Sequence, residues 1–200
     1  MMDDVAWRGG EGRGNNPFMR HVLACRNVEL PGERLPFLLG PARVGFVTRD
    51  FARELLKQPE VERIPDRLCV SDPDKLPGLA RRTAELGLHG WRNESFDVRA
   101  YVGGPVLAQM DRGALPAYGI ESIGAHVNGV VEGPEGTRVW IARRSPLKAL
   151  DPDKLDNIVA GGVPARMTPE ETIVKEAEEE ASIPADLVRQ ARRVGQVRYA

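Results

Sequence analysis

Thr168, Pro169 and Glu171 open a helix in a way that leaves the chain little choice: threonine is the N-cap, proline takes the first helical position, and glutamate completes a capping box. The helix belongs to the segment GGVPARMTPEETIVKEAEEEAS, from Gly161 to Ser182. At roughly 100° per residue, Ile173, Val174, Ala177 and Ala181 share one arc, while Glu176, Glu179 and Glu180 share the arc beside it. The first arc must be buried against another element; the second carries three carboxylates. Gly161 and Gly162 precede the helix, and their conformational freedom predicts a sharp backbone turn at the end of a strand. A strand, a loop and a helix packed on a sheet follow from this one segment.

The carboxylates also constrain the chemistry. Like charges three and four residues apart each cost a few tenths of a kcal/mol on an isolated helix, and Lys175 is the only nearby base. A hard divalent cation, Mg²⁺ or Mn²⁺, would turn that repulsion into coordination by carboxylate oxygens and leave positions open for water and substrate phosphate. The competing reading is a solvated acidic helix face, for which EAEEEA is ordinary composition.

The remaining sequence reads as two units behind a leader. Residues 1–17, glycine-rich and acidic where a signal peptide is basic and apolar, predict a flexible leader. Residues 18–112 predict an α+β domain. FMRHVLACRNVEL has helical spacing, LPFLLGPARVGFVT reads as two strands around a Gly-Pro turn, and Asp50 is a candidate cap for FARELLKQ. LARRTAELGLHG is an amphipathic helix closed by Gly87, and FDVRAYVGG and PVLAQMDRG read as paired strands. Residues 113–200 predict the second unit: a hairpin around GPEG, then the acidic helix, then a strand-like GQVRYA. Trp91 and Trp140 are expected in the core.

A net charge of −1 over 200 residues gives no global attraction to nucleic acid or anionic membrane. No run reaches the roughly 20 apolar residues of a membrane span. Cys25 and Cys69 are too far apart in sequence for a CxxC site, which fits a reducing, cytoplasmic setting. Local cations are another matter. Arg143, Arg144 and Lys148 lie ahead of the glycine pair as candidates for holding a diphosphate, against a solvated basic loop as the alternative. His126 reads as a hydrogen-bonded structural histidine and takes no role.

The segment resembles the Nudix box: G, five residues, E, seven residues, R, E, an aliphatic, one residue, E, E, one residue, G, an aliphatic. Gly161 falls on the leading glycine, Lys175 on the arginine, Glu176 on the first helix glutamate, Glu179 and Glu180 on the paired acids, and Ile183 on the last aliphatic. Met167 stands at the loop glutamate, Lys175 replaces arginine and Ser182 replaces the second glycine. RNVELPGERLPFLLG, MDRGALPAYGI and WIARRSPLKALDPDKLDNIVAGG extend the resemblance to the Nudix proteins with an extra N-terminal domain, related to the Nudix part of fungal thiamine pyrophosphokinase fusions. It implies a Nudix-like α/β/α sandwich after the α+β domain, here incomplete at the C-terminus. It also implies Glu176, Glu179 and Glu180 as catalytic metal ligands for Mg²⁺ or Mn²⁺, with Gly161, Gly162 and Lys175 shaping the box. The activity implied is hydrolysis of a diphosphate linkage in a small molecule, thiamine diphosphate-like or nucleoside diphosphate. The rival expectation is a decayed module that binds a diphosphate ligand or a protein partner without turnover. An isomerase acting on a diphosphate substrate is a third reading, suggested by RRSPLK, and a homodimer is left open.

Overall fold

The computed structural model describes residues 19–25, 28–148 and 151–198, so the expected leader lies outside the described residues. After a short helix α1 (Met19–Ala24), strands β1 (Leu35–Leu39) and β2 (Ala42–Val47) form the antiparallel hairpin expected around the Gly-Pro turn. Helix α2 (Arg49–Leu55) then crosses to β3 (Val61–Ile64) and β4 (Arg67–Val70), and the sheet order is β2-β1-β4-β3 with β1 parallel to β4. A 3-10 turn at Pro73–Lys75 leads into α3 (Leu76–Glu85), and β5 (Ser95–Val98) pairs antiparallel with β6 (Ala108–Asp111).

These elements enclose the main core. Phe37, Val47, Leu55, Leu68, Val70, Leu76 and Leu79 are buried in it together with Phe96 and Met110 of the β5–β6 pair. Helix α4 (Leu115–Tyr118) closes this core, because Ala114, Leu115, Tyr118 and Ile120 pack among the same residues. The sequence reading assigned this stretch to the second unit. Its polar flanks concealed the buried positions.

Tyr118 is fully buried and meets Phe37 and Phe51 edge to face at 5.2 and 5.0 Å between ring centroids. Its hydroxyl lies 3.0 Å from Oγ1 of Thr83, which in turn lies 2.8 Å from Nε2 of His89. Burial raises the Tyr118 pKa well above the ordinary phenol value, against the smaller opposing effects of Thr83 and Arg82.

The second unit runs β7 (Gly124–Val127), β8 (Val130–Gly133), β9 (Gly136–Val139), β10 (Ala142–Arg143), β11 (Leu155–Asp156), β12 (Val159–Gly162), α5 (Pro169–Ala181) and α6 (Ala185–Val188). β8 and β9 form the hairpin expected around GPEG. β12 pairs antiparallel with β7, and α5 packs on this pair and on α6. Val159, Ala177 and Val188 make the small core there, flanked by Ile173, Val174 and Ala181, which is the apolar helix face expected from the sequence.

Three local expectations are corrected. Helix α2 is capped by Thr48, whose side chain accepts from the Phe51 amide at 3.2 Å, while Asp50 sits inside the first turn and pairs with Arg53 at 2.7 Å. Trp91 and Trp140 are 37% and 60% exposed rather than in the core; the Trp91 ring finds cover instead under the Arg81 guanidinium, 4.8 Å from its centroid. Residues 195–198 form no strand, having no neighbour to pair with among the described residues.

Candidate active site on the acidic helix

Helix α5 begins as the sequence dictates. Thr168 is extended at φ −89°, ψ 161°, its hydroxyl oxygen accepts from the Glu171 amide at 3.1 Å, and Glu171 accepts in return from the Thr168 amide at 2.8 Å. That returning bond, with a second from the Thr168 hydroxyl, holds the Glu171 pKa below the usual carboxylate value. Thr172, one turn on, is buried and donates to the Thr168 carbonyl at 2.9 Å. The start of the helix is therefore fixed in both position and direction.

The glycine pair serves a different purpose from the expected turn. Gly161 and Gly162 lie inside β12, opposite Ala125 and Gly124 of β7. Their value is close approach on both faces of the strand. A Cβ on Gly161 would stand 2.6 Å from Cγ of Glu176, and one on Gly162 would stand 2.7 Å from Cζ of Phe96. Neither gap admits a methyl group, so helix α5 on one side and β5 on the other both press directly on the strand backbone.

The three glutamates share the predicted side of α5, yet they do not converge. Lys175 Nζ lies 3.4 Å from Glu176 and 3.3 Å from Glu179, bridging the two. Glu180 turns the other way, toward Lys148 at 3.8 Å and the Ala160 amide at 3.5 Å. Among the described residues no three His, Cys, Asp or Glu side chains gather in a metal-holding group, which corrects the picture of a ready-made carboxylate cluster. The physical reason is the two lysines: Lys175 gathers Glu176 and Glu179 around one ammonium, while Lys148 and the Ala160 amide draw Glu180 elsewhere. The bond to Glu179, with the charge of Glu176 adding to it, raises the Lys175 pKa against an opposing desolvation. In donor chemistry the set still fits a hard divalent cation, since it offers carboxylate oxygens at helical spacing with Glu176 half-buried and Glu179 and Glu180 reachable from solvent.

Of the expected cationic loop, Lys148 reaches the box, pairing with Glu180. Arg143 pairs with Asp153 at 2.8 Å, and Arg144 pairs with Asp156 at 2.7 Å while also donating to the Asp151 carbonyl at 3.0 Å. The two arginines tie β10 to the β11 side of the loop, a structural use that sequence spacing could not reveal. Asp156 is opposed by burial, but the bond from Arg144 and that from the Asn157 amide outweigh it and lower its pKa. His126 is hydrogen-bonded to Asn157 at 2.9 Å, as a structural histidine would be.

Sequence reasoning missed the contribution of β5. The Ala165 amide donates to the Ser95 carbonyl at 2.7 Å, and the Arg166 amide donates to Asp97 at 3.4 Å. Asp97 is held in turn by Arg99 at 3.0 Å and Gln109 at 3.2 Å. The loop that carries Met167 toward the helix is thus bonded to the first unit. SFDV reads only as a strand, and nothing in it signals a partner some seventy residues away.

A mixed α/β chain in which a glycine-bearing strand, a bonded loop and a capped acidic helix follow an α+β unit defines a protein of the Nudix-box class. The description "Domain of unknown function (DUF4743)" matches residues 17–122, and "NUDIX domain" matches residues 123–199. The chain is similar to "Nudix hydrolase 24, chloroplastic" of Arabidopsis thaliana, 32% identical over 195 residues that cover 91% of this chain and 53% of that protein. It is similar to "Nudix hydrolase 20, chloroplastic" of the same plant, 32% identical over 202 residues, 91% of this chain and 54% of that protein. An uncharacterized protein of Saccharomyces cerevisiae is 36% identical over 104 residues, covering 51% of this chain and 30% of that protein. The chain therefore belongs to the Nudix superfamily, in the group whose Nudix domain follows a DUF4743 domain. It spans about half the length of the two plant relatives.

Proposed function

We propose that the protein is a Nudix-type pyrophosphohydrolase that cleaves a diphosphate linkage in a small molecule, with Mg²⁺ or Mn²⁺ held by Glu176, Glu179 and Glu180. The observation that carries the reading is Glu176 laid across the bare backbone of Gly161, with Glu179 and Glu180 following on the same helix. When bound, a divalent cation neutralises diphosphate charge and lowers the pKa of a water nucleophile. The chain's own residues do the positioning. Gly161 lets Glu176 lie against β12, the Ala160 amide orients Glu180, and Lys148 offers a cation beside it for a substrate phosphate. Lys175 bridges Glu176 and Glu179, as a less directional substitute for arginine. The proposed substrates are thiamine diphosphate-like compounds or nucleoside diphosphates. The proposed second unit is the α/β/α sandwich of the family, of which β7, β12, α5 and α6 form part. We propose a reducing, cytoplasmic setting, consistent with the free thiols of Cys25 and Cys69.

Met167 favours a second reading, binding of a diphosphate ligand or a partner without turnover, because the loop position of the box lacks its carboxylate.

Two measurements decide between them. Phosphate release from thiamine and nucleoside diphosphates with Mg²⁺ or Mn²⁺ should be lost in Glu179→Gln and in Glu180→Gln but kept in Glu178→Gln; no release from any of them leaves the binding reading. Independently, metal at tenfold over its Kd should add about 1.4 kcal/mol to stability, a melting shift on the order of 3 to 6 °C. An equal shift in NaCl of matched ionic strength would reduce α5 to a solvated acidic face.

A further inference from the structure

The first unit carries a cleft that has no part in the box. It is a cavity of about 440 Å³ between β1, α2 and the β3–β4 hairpin, and Arg49, Arg53, Arg63 and Arg67 all line it. Its apolar lining includes Ala52 and Leu68, both core residues, together with Leu35. Asp66, in the hairpin turn, is the one carboxylate among the lining residues.

The charge in the cleft is lopsided: four arginines line it against one aspartate. Several arginines elsewhere find acids, among them Arg81 with Glu85, Arg99 with Asp97 and Arg112 with Glu94. In the cleft, Arg53 pairs with Asp50, whereas Arg49, Arg63 and Arg67 have no ion-pair partner among the described residues. All three are exposed, so their mutual repulsion is screened by solvent, and a bound anion would supply the acid partner that they lack.

We propose that this cleft binds a small phosphate monoester with an apolar body. Guanidinium groups match phosphate oxygens through paired N–H donors, and the half-buried Leu35 and Leu56 of the lining offer apolar surface to the rest of the molecule. The size lies within the roughly 300–1,000 Å³ of small-molecule sites, which favours a discrete ligand over a flat polyanionic surface. The proposal is independent of the chemistry assigned to the box.

Its test is a titration of the full chain in EDTA with phenyl phosphate, inorganic phosphate and ionic-strength-matched NaCl, followed by calorimetry and thermal melting. EDTA removes any metal-dependent contribution of α5. Phenyl phosphate should bind with 1:1 stoichiometry and more tightly than inorganic phosphate. Its affinity should fall at least about tenfold in Arg49→Gln/Arg63→Gln/Arg67→Gln. It should be unchanged in Arg92→Gln/Arg189→Gln/Arg192→Gln, which alters net charge equally outside the cleft. Retained binding in the first variant, equal loss in the second, or melting shifts matched by NaCl would overturn the site. Since unliganded melting of the first variant reports its folding, with relief of repulsion expected to leave it no less stable, a collapse there would mean that the arginines are structural and would also overturn the proposal. Capture by vesicles of phosphatidylcholine with phosphatidic acid, without binding of phenyl phosphate, would point to a lipid headgroup and defeat the claim for a soluble ester.

Discussion

Gly161 lies so close to Glu176 that the space between them does not admit a single methyl group: a Cβ there would stand 2.6 Å from Cγ and 2.7 Å from Cδ of the glutamate. The glycine is thus a statement about the helix, not about the turn before it. Gly161→Ala should destabilise the fold by about 1–3 kcal/mol through overpacking. Because the obstacle is a side chain, the penalty should shrink in a Glu176→Ala background. A double-mutant cycle by chemical denaturation measures this, and a coupling energy near zero would mean that the strand tolerates the methyl by moving elsewhere.

Ser182 ends α5 in the left-handed region at φ 52°, ψ 33°, and its amide reaches back to the carbonyls of Ala177 and Glu178. The family pattern puts glycine here, and the backbone conformation supplies the reason. Ser182→Gly should stabilise the protein by about 0.5–1 kcal/mol, the relief of left-handed strain outweighing the added freedom of the unfolded chain. A lower melting temperature in this exposed variant would assign the serine hydroxyl a bonding role.

Met167 occupies the box position at which the pattern calls for glutamate, on a loop fixed to β5 through Ala165 and Arg166. Met167→Glu should strengthen Mn²⁺ binding, read by calorimetry, and raise phosphate release if turnover occurs. Unchanged metal affinity in a variant of unaltered melting temperature would show that the loop acid is not what the site lacks.

Tyr118 should leave a signature in alkali. Its folded pKa is raised, so its stabilisation is complete below the ordinary phenol value near pH 10 and is lost as pH climbs from there toward the raised folded value. The unfolded tyrosine ionises in that window while the buried one cannot. Unfolding free energies measured between pH 8 and pH 11.5 should decline more steeply for the wild type than for Tyr118→Phe, which keeps the edge-to-face rings but has no proton to lose. Parallel declines would locate the alkaline sensitivity in other groups.

The sequence alone determined those features whose causes are local. The capping box of Thr168 and Glu171, the apolar arc of Ile173, Val174 and Ala177, and the hairpins at Gly40 and at Pro134–Glu135 all depend on residues within a few positions of one another. Backbone propensity, side-chain periodicity and turn chemistry act over that range, so they are legible without a fold. Only the tertiary structure decided what meets across long separations. It set Gly162 against Phe96, bonded the Ala165 amide to Ser95, spent Arg143 and Arg144 on Asp153 and Asp156, drew residues 114–120 into the first core, and interposed Lys175 between Glu176 and Glu179. These outcomes turn on which of many chemically equivalent partners comes within hydrogen-bonding or contact distance. An arginine beside an aspartate in space has the same local sequence as one facing a ligand, and a glycine pressed from both faces of a strand reads the same as a glycine in a turn.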